Sequence, residues 1–360
     1  MTRPLRDLVR PDLRVLAGYH SPQVEVDVRL NTNESPLPPP EGFADDVAKA
    51  VTGLEWHRYP DRSAWALRAA IGELHGVGPE QVLAANGSNE VLQIICLTCG
   101  GAGRRVLTFE PTFAMHGQIA RTTQCTVVEG ERSEDFTLDP AEVDRLVLEA
   151  DPAITFLCSP NNPTGLIEPR SLVEHVVAAA PGVVVVDEAY GQFASWSALD
   201  LVEPDAALLV TRTYSKTWAM AAARLGYVVG PAELIAELHK VVLPYHLDSL
   251  KQAAGMAALR YRAEMDERIA LLVEERGRIA AAFSEMDVDH WPSDANFLLF
   301  RPRPIDGDAV WQALVDRSVL VRNTASWPRL AGCLRVTVGT PAENGRFLAA
   351  LTEILGGASA

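Results

Sequence analysis

Residues 183–190 read VVVVDEAY, and this stretch decides the class of fold. Four consecutive valines predict a strand that is buried on both faces, as happens in parallel sheets covered by helices. The strand brings Asp187 to the edge of that sheet, where a buried carboxylate needs a positively charged partner or its pKa rises. A protonated ring nitrogen would be such a partner. A metal ion is the alternative, but the sequence places no His or Cys cluster nearby.

Short apolar strands and amphipathic helices alternate on both sides of this stretch. With helices between most of them, further strands are predicted at 82–85, 106–110, 126–130, 154–158, 207–212 and 225–230. Helical crossovers between such strands imply a mainly parallel sheet with right-handed connections. After about residue 245 a long helical region, two strands and a closing helix indicate a smaller α+β unit. We therefore predict an α/β protein with an N-terminal arm (1–30), a large domain (31–245) and a small C-terminal domain (246–360).

The loops at the carboxyl ends of these strands carry the candidate residues, because ligands of open α/β sheets bind there. After the first strand, Ser88 and Asn89 open a helix whose free N–H groups suit a phosphate, although capping of that helix explains the same residues. Phe113 follows the second strand and is placed either to stack on a flat ring or to join the core. Asn162 lies in SPNNPTG, where a surface turn is the alternative.

The stretch TRTYSK (211–216) places a lysine at the mouth of the same region. Lys216 follows the hydroxyls of Thr213 and Ser215, and Arg224 comes eight residues later. A lysine in this setting is a candidate for a Schiff base. The hydroxyls and the planar fork of the arginine suit a phosphate. An ordinary surface lysine is the alternative for Lys216 taken alone.

The composition narrows the choice of partners. The chain has 360 residues and a formal net charge of −15, which argues against nucleic acid as a partner. No run approaches the roughly 18 apolar residues of a membrane span, and the opening MTRPLRDLVRP lacks the apolar core of a secretory signal. Five scattered cysteines suit a reducing cytoplasm. Cys96 and Cys99 form an isolated CxxC without a second ligand pair, so we predict no metal site.

Taken in this order, the motifs resemble those of the fold type I pyridoxal-phosphate-dependent transferases, class I and II aminotransferases. The similarity covers nearly the whole chain and is greatest to the histidinol-phosphate aminotransferase family. The stretches that carry it are RLNTNESPLPPP (29–40), RYPD (58–61), NGSNEVLQ (86–93), FEPTFAMH (109–116), SPNNPTG (159–165), VVVDEAY (184–190), TRTYSKTWAMAAARLGY (211–227), VVLPYHLDSLKQAA (241–254), SDANFLLF (293–300), VLVRNT (319–324) and LRVTVGTPAEN (334–344).

The resemblance implies pyridoxal 5'-phosphate as the cofactor and assigns roles position by position. Lys216 would hold the cofactor as a Schiff base and shuttle the proton, while Asp187 would pair with the ring nitrogen. Tyr190 and Asn162 would donate hydrogen bonds to the phenolic oxygen of the ring, and Phe113 would stack on its face. The cofactor phosphate would be bound by Ser88, Asn89, Thr213, Ser215, Arg224 and, from the neighbouring subunit, Tyr59.

The resemblance also implies the substrates. Arg335 would bind the substrate carboxylate, and Arg322, Arg335 and Tyr19 are candidates for a substrate phosphate, with Asn162 lying beside the substrate. The implied reaction exchanges an amino group between histidinol phosphate and 2-oxoglutarate, or between imidazole acetol phosphate and glutamate, in histidine biosynthesis. The implied partners are these small molecules and a second copy of the chain, in a cytoplasmic homodimer with the active site at its interface.

Two other activities on the same scaffold stay open at this point. One is an aromatic amino-acid aminotransferase, and the other is a pyridoxal-phosphate-dependent decarboxylase of a phosphorylated amino acid. Three residues depart from the usual motifs of the family: Ser35 stands where an asparagine is expected, and Trp218 and Trp327 are unusually bulky. These departures concern the choice of substrate more than the chemistry.

Overall fold

The computed structural model describes residues 4–16, 18 and 24–357. Its strands are β1 (Val28–Leu30), β2 (Val82–Ala85), β3 (Arg105–Glu110), β4 (Thr126–Glu131), β5 (Ile154–Cys158), β6 (Val183–Asp187), β7 (Leu208–Thr213), β8 (Gly226–Val229), β9 (Val288–His290), β10 (Phe297–Pro302), β11 (Val319–Asn323) and β12 (Leu334–Thr337). Its α-helices are α1 (Phe43–Thr52), α2 (Trp65–His75), α3 (Ser88–Cys99), α4 (Met115–Thr122), α5 (Pro140–Ala150), α6 (Arg170–Ala179), α7 (Ala232–Leu238), α8 (Ser249–Leu259), α9 (Arg262–Ser284), α10 (Gly307–Val315) and α11 (Pro341–Gly356).

The described residues form a seven-stranded sheet in the order β2-β8-β7-β6-β5-β3-β4. Its pairs are parallel except where β8 pairs with β2 and β7. Alternate valines of β6 point to opposite faces, as the pleat requires. Val185 joins the apolar cluster on one face, while Val184 and Val186 join the cluster on the other. The predicted class, a mainly parallel sheet between layers of helices, is therefore confirmed.

A second sheet among the described residues has five strands in the order β1-β11-β12-β10-β9. Strand β1 runs parallel to β11, and the other pairs are antiparallel. Phe283, Phe297, Phe300 and Phe347 are completely buried in its core. Along the chain, β1 of the small sheet comes first, the seven strands of the large sheet follow, and the other four strands of the small sheet come last. Only three residues of β1 pair, which is too short a run for its pattern to indicate a strand.

The predicted long helical region consists of two helices, α8 and α9, with a break at Arg260 and Tyr261. Helix α8 packs on α1 and α2, and it comes so close to the large sheet that a Cβ on Gly255 would lie 2.6 Å from the Leu225 side chain. Helix α9 packs against β9 and α11 of the small sheet's layer. Neither α9 nor any other described helix is both long and apolar enough to cross a membrane. The bounds given above for the arm and the two domains stay a prediction.

A buried ion pair connects the loops that follow β4 and β5. Arg132 Nη2 lies 2.7 Å from Glu168 Oε1, and both side chains are almost completely buried. Arg132 also donates to the carbonyl oxygen of Phe136, at 3.0 Å. The backbone N–H of Glu168 donates to Ser159 Oγ, at 3.0 Å. Because Ser159 opens the SPNNPTG loop, the ion pair braces the loop that carries Asn162.

We predict that Arg132→Met lowers the free energy of unfolding by about 3–5 kcal/mol, because it leaves the buried Glu168 carboxylate without its partner. The double variant Arg132→Met/Glu168→Met should recover most of that loss, since it removes both charges. Arg170→Met, which breaks an exposed pair with Glu174, is the matched control and should change stability little. Denaturant titrations measure all three. A single Arg132→Met variant as stable as the control would contradict the assignment.

Candidate active site

A cavity of about 340 Å³ opens at the carboxyl ends of β5, β6 and β7, where the small sheet meets the large one. Side chains from both sheets line it, Asp187 from β6 and Arg335 from β12 among them. The predicted site residues that line this cavity are Ser88, Asn89, Phe113, Asn162, Asp187, Tyr190, Thr213, Ser215, Lys216, Arg224, Arg322 and Arg335. Parallel strands end at one edge of their sheet, so residues far apart in the sequence converge here.

Asp187 is the last residue of β6 and is 1% exposed. Its Oδ1 accepts hydrogen bonds from Ala189 N and from Thr211 Oγ1, both at 3.1 Å. Its Oδ2 lies 2.9 Å from His116 Nε2. These three donors compensate the negative charge of a carboxylate that water does not reach. Among the described residues there is no group of three His, Cys, Asp or Glu side chains that could hold a metal ion, so the metal alternative has no ligand set here.

His116, to which the sequence analysis gave no role, contacts Asp187. It lies on α4, one helical turn after Phe113, and is 1% exposed. Its ring stacks on Phe156, with centroids 4.7 Å apart and planes 5° from parallel. Because Nε2 faces Asp187, the ring orients that carboxylate from behind. Nδ1 has no hydrogen-bond partner within the described residues, so the contact with Asp187 is made through Nε2 alone. The sequence feature that could have indicated this contact is the histidine of FEPTFAMH, three positions after Phe113.

Lys216 extends into the middle of the cavity. Its Nζ donates to the carbonyl oxygen of Thr32 at 2.9 Å and lies 5.9 Å from the centre of the Tyr190 ring. Loss of hydration lowers the pKa of this amine from 10.5 to about 7, and the positive charges of Arg335 and Arg224 act in the same direction. A lysine with such a pKa has a substantial unprotonated fraction near neutral pH and is therefore able to act as a nucleophile or base.

One end of the cavity has backbone N–H groups, a guanidinium and hydroxyls that suit a phosphate. Gly87 precedes α3 with φ of +87° and provides no side-chain cap, so the first N–H groups of the helix face the cavity without the cap considered above. A Cβ at this position would lie 2.9 Å from Arg224 Nη2, so only glycine lets the guanidinium come this close. Arg224 Nη1 donates to Ser215 Oγ at 3.1 Å. A helix N-terminus, an arginine and hydroxyls fit the phosphate of pyridoxal phosphate.

Asn33 is a second residue that the sequence reasoning left without a role, although the NESP motif pointed to it. Its Nδ2 donates to Tyr190 Oη at 3.0 Å, and its Oδ1 accepts from Thr337 Oγ1 at 2.9 Å. Burial raises the pKa of Tyr190 to about 12, so the phenol keeps its proton. Since Asn33 occupies the oxygen as a donor, the hydroxyl of Tyr190 is left to donate its own proton into the cavity.

The other end of the cavity carries two arginines on neighbouring strands. Arg322 of β11 pairs in register with Arg335 of β12. Arg335 is 5% exposed, donates to the oxygen of Asn162 and to the carbonyl oxygen of Asn31 at 2.9 Å, and lies over the Phe297 ring at 5.0 Å. Its orientation is therefore fixed before any ligand binds. Arg322 is half-buried. Two guanidinium groups at one end of a cavity suit an anionic ligand.

Some of the predicted residues lie elsewhere. Tyr59 is 79% exposed, lies outside the cavity and stacks on Tyr245 with ring centres 4.3 Å apart. Tyr19 lies outside the described residues. Of the departures from the family motifs, Trp218 is 3% exposed within an apolar cluster, and the Ser35 hydroxyl bonds the backbone of Leu37. Trp327 is the one of the three that lines the cavity.

Comparison with known proteins agrees with this site. The model of the family "Aminotransferase class I and II" matches residues 25–351. The chain therefore belongs to the class I and II aminotransferases. Within them it is similar to the histidinol-phosphate aminotransferase of Frankia casuarinae, with 45% identity over 98% of this chain and 91% of that protein. The enzyme of the same name from Thermobifida fusca is 44% identical over 98% of this chain and 96% of its own length.

A solved structure shows the same fold. Histidinol-phosphate aminotransferase from Sinorhizobium meliloti, in complex with pyridoxal-5'-phosphate, superimposes with a TM-score of 0.85 at 21% identity and covers 97% of this chain and 98% of that one. The predicted fold type, the aminotransferase class and pyridoxal phosphate as the cofactor of the family are thus confirmed. The roles given to single residues stay predictions, which the geometry above supports.

The lowered pKa of Lys216 leads to a pH dependence. Attack on the cofactor's aldehyde needs an unprotonated amine, so the rate of covalent attachment should rise with pH up to about 7 and then level off. Stopped-flow absorbance after mixing cofactor-free protein with pyridoxal phosphate, from pH 5.5 to pH 10, measures this rate. An ordinary lysine, such as free N-acetyl-lysine, serves as the control and should still gain rate toward its pKa of about 10.4. A protein whose rate follows the control would contradict the lowered pKa.

Proposed function

We propose that this enzyme transfers an amino group from glutamate to imidazole acetol phosphate in histidine biosynthesis, with histidinol phosphate and 2-oxoglutarate as the products, and that the reaction also runs in reverse from histidinol phosphate. The names of the full-length relatives support this choice of substrate. The single observation that carries it within the molecule is the pair of arginines, Arg322 and Arg335, at the end of the cavity remote from the phosphate cradle of α3. An aminotransferase needs one such anion site for both of its substrates.

The chemistry of the two substrates explains the arginine pair. Glutamate brings carboxylates, whereas histidinol phosphate has no carboxylate and brings a phosphate instead. Charged hydrogen bonds from guanidinium to either group contribute more than neutral ones. Arg335 is held by Asn162 and Asn31, so it is pre-organised for a planar anion. Arg322 is the residue we assign to the larger, more strongly charged phosphate.

The residues at the ring end have the following roles. When bound, pyridoxal phosphate supplies an electron-withdrawing ring that stabilises negative charge at the substrate Cα. Asp187, which contacts His116, would keep the ring nitrogen protonated. Tyr190 and Asn162 would donate hydrogen bonds to the phenolic oxygen of the ring. Lys216 would take up and hold the proton from the substrate Cα, for which a pKa near 7 is well matched to neutral pH.

Replacing Arg322 separates the two kinds of anion. We predict that Arg322→Ala raises KM for histidinol phosphate by about ten-fold or more, because a charged hydrogen bond contributes roughly 1.5–3 kcal/mol. Phenylalanine, which has no phosphate, should be affected about two-fold at most. Arg301→Ala, an exposed arginine that pairs with Asp289 on the same sheet, is the matched control. Equal losses for both donors would refute the phosphate assignment.

We further propose a homodimer in which Tyr59 completes the neighbouring subunit's cofactor site. Tyr59 (79% exposed), Trp56 (70%) and Leu243 (74%) present large apolar side chains to the surface, which is typical of an interaction site. Tyr59 is held by stacking on Tyr245 yet lies outside its own chain's cavity. We place the dimer in the cytoplasm, since the five cysteines are free thiols and suit a reducing compartment.

The dimer proposal predicts a result for Tyr59→Phe. This variant should still sediment as two chains but release pyridoxal phosphate more easily, with a Kd about ten-fold higher, because it loses one hydrogen bond to a charged phosphate. Equilibrium dialysis and sedimentation velocity measure the two properties. Tyr261→Phe, which removes a hydroxyl bonded to Asp46 instead, is the control and should keep the wild-type Kd. A monomeric protein, or an unchanged Kd in Tyr59→Phe, would overturn the proposal.

A further inference from the structure

Two large apolar side chains line the cavity without a role in binding the cofactor. One is Met115, the first residue of α4, and the other is Trp327, in the turn that follows β11. Each is half-buried, and each packs on a different apolar cluster, Met115 on that of the large sheet and Trp327 on that around Leu330. Because apolar side chains gain stability from leaving water, this part of the cavity calls for an apolar part of the ligand.

The turn that carries Trp327 is held in place by backbone hydrogen bonds before a substrate arrives. The backbone N–H of Trp327 donates to the carbonyl oxygen of Thr324 at 2.9 Å, and its own carbonyl oxygen accepts from the N–H of Leu330 at 3.2 Å. Arg329, in the same turn, donates to the carbonyl oxygens of Arg132 and, at 3.2 Å, of Ser133 on the large-sheet side. A turn held from both sides loses little further freedom when a ligand packs on it.

The arginine pair alone does not separate the two donors of the proposed reaction. Histidinol phosphate and glutamate both carry an anion that Arg322 and Arg335 are able to bind. Besides the type of anion, they differ in the imidazole ring, which only histidinol phosphate has. A flat indole face and a polarisable thioether are the side chains that pack best against such a ring. Trp327 and Met115, which both line the cavity, are therefore available to contact the ring, which the arginines do not bind.

We propose that Trp327 is a specificity-determining residue, whose indole packs against the aromatic ring of the amino donor and favours ring-bearing donors over glutamate. The proposal rests on the proposed function in one respect, that the substrate carries an aromatic ring. It does not require the phosphate, since the indole would contact the ring of phenylalanine in the same way. Experiments with phenylalanine therefore test the role of Trp327 independently of whether histidinol phosphate is the substrate.

The test measures the binding of three amino donors to the wild type and to variants at Trp327 and Trp291. Half-reactions of the cofactor-loaded protein with histidinol phosphate, phenylalanine and glutamate give an apparent Kd and a maximal rate for each donor. Trp327→Leu removes the indole from the cavity. Trp291→Leu is the matched control, because Trp291 packs on the same cluster, against Phe136 with ring centres 5.0 Å apart, but lies outside the cavity. Trp327→Phe keeps an aromatic face at the tested position.

Trp327→Leu should raise the apparent Kd of both ring-bearing donors about ten-fold and that of glutamate less than about two-fold. Trp327→Phe should restore most of the loss, and Trp291→Leu should leave all three donors within about two-fold. Equal losses for glutamate and the ring-bearing donors, or no loss for any, would overturn the proposal. If the wild type accepts phenylalanine but not histidinol phosphate, the proposed function fails, while the ratio for phenylalanine still decides the role of Trp327.

Discussion

The burial of one negative charge at the end of a strand governs the arrangement of the active site. Strand β6 is apolar on both faces, so Asp187 at its end is removed from water and needs compensation. Thr211, the backbone of Ala189 and His116 provide three hydrogen bonds, and a protonated ring nitrogen is the charge that would complete the set. A fixed acid at this point determines which way a pyridine ring must face.

Burial also acts on Lys216, where it lowers the pKa of the amine. Loss of hydration raises the energy of the ammonium form, so the pKa of the amine falls to about 7. The acid and the amine thus share one small cavity in different surroundings. Three donors face the carboxylate, whereas the amine is removed from water and lies near the positive charges of two arginines. The surroundings of each group thus suit it to a different role, Asp187 to pairing with a positive charge and Lys216 to acting as a base.

The cavity also depends on contacts that bring the two sheets together. Asn33 joins Tyr190 of the large sheet's edge to Thr337 of the small sheet, and Arg335 reaches Asn162 from the opposite direction. Asn33 lies in the segment just after β1, and Arg335 also donates to the carbonyl oxygen of Asn31 in that segment. Strand β1 itself pairs with β11, near the other end of the chain. A strand from the N-terminal part of the chain thus belongs to the small sheet, and the residues that follow it help to join the substrate end of the cavity to the cofactor end.

Much of this arrangement could be predicted from the sequence because residues after parallel strands share one edge of the sheet. Asp187, Asn162 and Lys216 each follow a strand that the apolar pattern indicates. His116 could not be placed in the same way, since its role comes from packing of α4 behind β6 and not from a loop. The three-residue pairing of β1 is equally hidden, because it depends on a partner almost 300 positions away.

The position of the ring between Asp187 and Lys216 is the central claim, and a crystal structure of the protein grown with pyridoxal phosphate tests it most directly. We expect continuous electron density from Lys216 Nζ to the cofactor, with the ring nitrogen about 2.7–3.0 Å from an Asp187 carboxylate oxygen. Density for the cofactor without a link to Lys216, or with its ring nitrogen turned away from Asp187, would contradict the account.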